Sequence, residues 1–235
     1  MRIAFTWVLM FLLLVGCSQP IQRKDGASSA RGFALANLAK AESDMLTEIV
    51  QNEVIKSLRL LTEKLYRRNP QEYRKAGLDS AEAASRRLFA ELERWPSTEL
   101  VRLDWQRSLR QSFSEDFAGD RVHAFMGGLL AMVMAAYNHK REFYVMDELD
   151  AQKLYNSARN VETAVWKLSS ARQANNAKFL LSNSIEGDLQ NLSFEREFAK
   201  IIALQDLLAL YVEDRSNRTI TRAVQGAASF VFLPI

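Results

Sequence analysis

The chain has 235 residues, about half of them hydrophobic, with 9 Gly, 4 Pro and one Cys. This is enough chain for one sizeable core, and the low Gly and Pro content excludes a disordered or collagen-like protein. A single cysteine excludes an intramolecular disulfide framework, and a net charge of +3 is too small to point to nucleic acid as a partner.

Met1-Arg2 provides a short positive start, and Ile3 to Val15 is an apolar run interrupted only by Thr6. A membrane-spanning helix needs about 20 apolar residues, so this run has the length of a signal-peptide core instead. It closes on Leu14-Val15-Gly16-Cys17, where small residues before a lone thiol form a cleavable neck. Residues 1–17 resemble the lipobox signal of bacterial lipoproteins. The resemblance implies diacylglycerol on Cys17, cleavage between Gly16 and Cys17, and further acylation of the new N-terminus. Ser18, in place of Asp, implies the outer membrane with the domain facing the periplasm. Two or more acyl chains make such anchoring persistent, whereas one alone binds only marginally. The expected organisation is thus a removed signal over 1–16, a lipidated cysteine and flexible tether over 17–32, and a helical domain over 33–235.

The tether Ser18–Gly32 is polar and without apolar periodicity. From Phe33 the pattern turns helical: Leu46, Val50, Val54, Leu58, Leu61 and Leu65 recur at intervals of three and four, with Met45, Ile49 and Ile55 alongside. Asn69-Pro70 ends this helix, because the residue before proline is pushed out of the α region. Asp79 or Ser80 caps a second helix, which runs to Trp95. Ser97 or Thr98 starts a third, reaching Phe117 with Trp105 off its apolar stripe. Gly119-Asp120 opens the most apolar internal stretch, Val122 to Tyr137. A further helix is expected from about Asp147 to Arg172. Gln173–Leu192 reads as a polar connection with a short extended piece at Phe179–Leu181. Ser193 caps another helix, and a last segment runs from about Asn217 to Phe230. No segment alternates with the period of two expected of a half-buried strand. The fold class is therefore all-α, a single domain of six or seven helices.

Candidate chemistry is sparse. His123 and His139 lie sixteen residues apart and face nearly opposite ways on one helix, so they share no metal; Asp120-x-x-His123 is more simply an N-cap. Glu142, Asp147, Glu148 and Asp150 are an acidic cluster in which a glycan-cleaving pair is conceivable, although carboxylates also favour a helix start for its dipole. There is no nucleophile elbow, phosphate loop or dinucleotide fingerprint. No catalytic residue, metal or cofactor is expected.

Two interaction features stand out instead. Between Lys64 and Arg110 eleven basic residues face seven acidic ones, with Arg86, Arg87, Arg94 and Arg102 the candidate contacts; Phe230 and Phe232 make the apolar tail a second candidate. Ala124, Gly127, Gly128, Ala131 and Ala135 form a small-residue ridge, which suits close helix packing or the wall of a groove. The expected function is a non-enzymatic, protein-binding or assembly component of the envelope, attached to the membrane by lipid on Cys17. The alternatives are a carrier or sensor of an apolar ligand, and a cell-wall glycan hydrolase.

Overall fold

In chain order, seven α-helices follow one another among the described residues of the computed structural model, which are 40–183 and 192–231, with side chains described through Asn217. Gly16, Cys17, the tether, the expected helix start at Phe33 and Phe232 lie outside them. So does the Phe230 side chain, although its backbone belongs to the last helix.

The first helix, α1, spans Glu42–Arg68. Its start is tied by Asp44, whose Oδ2 accepts the Ala41 N–H at 2.8 Å. Asn69 ends it and then serves the far side of the fold: its Nδ2 donates to the Leu65 and Leu181 carbonyls, while its Oδ1 accepts the Leu181 N–H. Val50, Val54, Leu58, Leu61 and Leu65 are buried as the apolar spacing requires. Ile49 is half exposed, however, and Thr47, Glu48 and Gln51 are buried in its place. The reason is a chain segment that crosses α1 there: Gln51 Nε2 donates to the Lys140 carbonyl at 2.7 Å, and Glu48 Oε1 accepts the Phe143 N–H. Backbone groups brought into the core need polar partners, so that stripe of α1 is polar.

The short helix α2, Pro70–Lys75, starts on proline, whose missing N–H costs nothing in a first turn. Helix α3, Ala81–Ala90, is capped by Ser80 Oγ, which accepts the Ala83 N–H, and continues as a 3₁₀ turn over Glu91–Arg94. The single helix expected from Thr98 to Phe117 is in fact two pieces. A 3₁₀ turn covers Glu99–Arg102, and α4 spans Trp105–Gln111. Asp104 divides them because its Oδ1 accepts the Arg107 N–H at 2.9 Å, making it an N-cap and resetting the helical phase. Trp105, off the stripe of one long helix, therefore opens a new one.

Helix α5, Arg121–Ala136, is buried around almost its whole circumference and is the centre of the core. Asp120 caps it. Left-handed backbone at Asn138 and His139 ends the following turn. Helix α6, Ala151–Ser170, is capped by Asp150, which accepts from the N–H groups of Gln152 and Lys153. Helix α7, Ser193–Val231, is one continuous element of 39 residues rather than two. Asp214-Arg215-Ser216-Asn217 is polar, but no Pro or Gly interrupts it, and polarity alone does not end a helix.

Helix α1 packs against α3, α5 and α7; α6 lies along α7 and touches α5; α4 lies on α5. Among the described residues there is no strand, only an isolated antiparallel bridge between Arg172 and Lys178. The protein is all-α. No described helix is long and apolar enough to cross a membrane.

Candidate functional site

The elements from α3 to the start of α5 surround a cleft of about 1090 Å³. Helix α3 turns Leu88 and Phe89 inward, and the next exposed position, Arg87, reaches the cleft wall. The 3₁₀ turn after α3 adds Arg94. Thr98 caps the second 3₁₀ turn and presents Arg102, and the cap at Asp104 aims the first turn of α4 so that Arg107 joins them. His123, from the first turn of α5, also lines the cleft. Burial there holds its imidazole below the usual range, against the pull of Asp120 and helped by Arg87.

Three of the four arginines expected as contacts thus meet at one place, together with Arg107, which the sequence reading counted only as part of a charge run. Arg86 does not join them: it is exposed and lies outside the cleft. The carboxylates of the cleft are partly committed. Glu91 is bound to Arg94 and the Thr98 hydroxyl, and Asp104 holds the helix cap.

The small-residue ridge on α5 is covered. Ser108 Oγ donates to the Ala124 carbonyl at 2.8 Å, and a Cβ on Gly128 would lie 3.1 Å from Leu109 Cγ and 3.2 Å from the Trp105 carbonyl oxygen. Helix α4 therefore rests on the backbone of α5. Gly127 faces Leu88 and Leu100 with room to spare, Ala131 is buried, and Ala135 reaches a shallow polar cleft beside Asn156. An apolar cleft of about 310 Å³ opens beside the ridge rather than on it, between α4 and α6. Its walls are Trp105, Leu109, Phe113 and Phe125, with Arg110 and Lys167 at the edge.

The acidic cluster is spread over structural duties. Glu142 accepts from the Tyr144 hydroxyl, Asp150 caps α6, and the Glu148 carbonyl takes a bond from Asn138. Asp147 is paired with Lys140, which holds its carboxyl below the usual range and keeps it ionised. Asp147 and Glu148 do line one cleft of about 470 Å³ with Asp44 and Arg215, but Glu142 and Asp150 do not. A general acid in glycan cleavage needs a raised carboxyl pKa, the reverse of what Lys140 does to Asp147. His123 and His139 remain apart, the latter stacked on Trp95 at 5.8 Å, and no described group of His, Cys, Asp and Glu could hold a metal ion.

A surface that the sequence reading passed over lies where α6 meets α7. Arg159 Nη2 binds Asp206 Oδ2 at 2.6 Å and its guanidinium covers the Tyr155 ring. Leu207 and Leu210, within a turn of Asp206, are about three-fifths exposed, as is Trp166 further along α6. The signal was present: Leu204, Leu207, Leu208 and Leu210 make α7 apolar on more than its core side, which exceeds what one packing face uses.

No protein-family model, curated protein or solved structure matches this chain.

Proposed function

We propose that the chain is an envelope lipoprotein, anchored by lipid on Cys17 to the periplasmic side of the outer membrane, whose helical domain binds another envelope protein without catalysing a reaction. The observation that carries the proposal is the ordered run Met1-Arg2, Ile3–Val15 and Leu14-Val15-Gly16-Cys17. The absence of a crossing helix among the described residues is compatible with attachment through lipid alone. The protein-binding part is supported by Leu207 and Leu210, large apolar side chains exposed within about a turn of Asp206 in the Arg159–Asp206 pair, and by the exposed Trp166 further along α6. Aromatic and arginine side chains of this kind supply most of the energy of many interfaces.

Two measurements test it. Mass spectrometry of the N-terminal peptide should find a chain beginning at Cys17 and carrying diacylglycerol, and the Cys17→Ser variant should remain an uncleaved precursor. A wild-type chain keeping residues 1–16, or a free Cys17 thiol, overturns the anchor. Native mass spectrometry of the mature protein, gently extracted from its own membrane, should show a stoichiometric protein partner that Leu207→Asp with Leu210→Asp releases. A bare protein overturns the binding role.

The apolar cleft between α4 and α6 favours a second reading, a carrier of an apolar ligand. Its size is at the lower end of small-molecule sites. Extra lipid retained by the bare protein, beyond that on Cys17, would support it.

A further inference from the structure

The cleft between α3 and α4 carries one kind of cation. Arg87, Arg94, Arg102 and Arg107 line it, and no lysine does. Arg94 is occupied by Glu91, whereas Arg87, Arg102 and Arg107 form no ion pair with a described residue. Of the carboxylates on the walls, Glu91 holds Arg94 and Thr98, Asp104 holds the Arg107 amide, and Glu99 remains. Arg87, Arg102 and Arg107 therefore line one concave space without an ion pair to a described residue, against the two carboxylates of Glu99 and Asp104, so positive charge is in excess there. Like charges gathered this way repel one another, and a bound anion relieves that repulsion.

The guanidinium is a planar fork of donors that matches phosphate oxygens in pairs, which a lysine ammonium does not. A volume of about 1090 Å³ is that of a small-molecule site, whereas a standard protein partner needs roughly 800 Å² of surface per side. We propose that this cleft binds a phosphate-bearing ligand of headgroup size, with Arg87, Arg102 and Arg107 donating to its phosphate oxygens. The site is separate from the α6–α7 surface, so it stands or falls independently of the protein-binding role.

The test uses the mature full-length chain in dodecyl maltoside micelles, which carry no phosphate, with inorganic pyrophosphate as the probe. Saturable binding is expected, accompanied by a shift of the His123 ring resonances. Replacing Arg87, Arg102 and Arg107 together by Gln should weaken it about tenfold or more. The corresponding Lys variant should lose a smaller part, and Arg86→Gln, outside the cleft, should change it less than about twofold. Repeating the titration in nanodiscs containing phosphatidylglycerol identifies the source within the proposal. A His123 ring already at its bound position, with weakened pyrophosphate binding, assigns the phosphate to a lipid headgroup; an unchanged ring assigns it to a soluble phosphate ester. No saturation by pyrophosphate at millimolar concentration overturns the proposal, as does a loss on Arg86→Gln equal to that of the triple variant. Saturable binding of a hexaglutamate peptide without binding of pyrophosphate also overturns it, in favour of an acidic protein segment.

Discussion

The Tyr66 hydroxyl donates to Asp120 Oδ2 at 2.8 Å while the other oxygen of the same carboxylate, Oδ1, accepts the His123 N–H. One side chain therefore caps the central helix and fastens it to the end of α1, 54 residues earlier. Tyr66 is almost wholly buried, and burial together with Asp120 raises its hydroxyl well above the usual range, so it stays a donor.

Replacing Asp120 by Ala removes both bonds. The lost cap costs about 1 kcal/mol and the stranded Tyr66 hydroxyl about 1–3 more. Asp120→Asn keeps an N-capping side chain and should recover most of the cap. Tyr66→Phe, which removes the buried donor itself, should cost less than Asp120→Ala. Urea unfolding of the four proteins checks this order, and equal midpoints for Asp120→Ala and wild type would refute the shared role.

The two neighbouring glycines of α5 should respond in opposite directions to alanine. At Gly127 a Cβ would sit 3.7 Å from Leu88 Cδ1, an ordinary contact, so removing a helical glycine should stabilise by about 0.5–1 kcal/mol. At Gly128 the added atom meets the backbone of α4, which has to lift, at a cost of about 1–3 kcal/mol. Urea midpoints at unchanged slope distinguish the two, and a stabilising Gly128→Ala would show that α4 does not rest there.

Both histidines are held below the usual imidazole range, His123 by burial first and His139 by burial and then Lys153. The folded protein consequently binds fewer protons than the unfolded chain just below the ordinary histidine value. Their contribution to stability is complete above about pH 6.5 and is lost as pH falls through the folded-state values. The urea midpoint should decline between pH 7.5 and pH 5 in wild type, and the decline should flatten when both are changed to Gln. A wild-type midpoint constant over that interval would contradict the lowered imidazole pKa values.

The local grammar of the helices was legible because its causes are near neighbours in the chain. Ser80 and Asp120 mark starts through side-chain bonds spanning three residues, and Pro70 stops α1 through the residue beside it. Where expectation and structure differ, a distant element intervened or a short-range competitor went unnoticed. Asp104 capped a helix where continuity was expected, and nothing at 214–217 in α7 was strong enough to break it. Ile49 is exposed and Gln51 buried because Lys140, 89 residues away, brings a carbonyl that needs a donor.

The same division separates what each level of description determined about function. The linear order of charge, apolar run, small residues and Cys17 carries the proposed address and is readable without folding, and the all-α class follows from spacing alone. Arg86 and Arg87 are adjacent in sequence, yet only Arg87 belongs to the arginine cleft, since successive residues on a helix point about 100° apart. Which of them shares a wall with Arg102 and Arg107 depends on how α3 and α4 pack on α5. That packing is decided by shape and buried area across long separations, which no local pattern encodes.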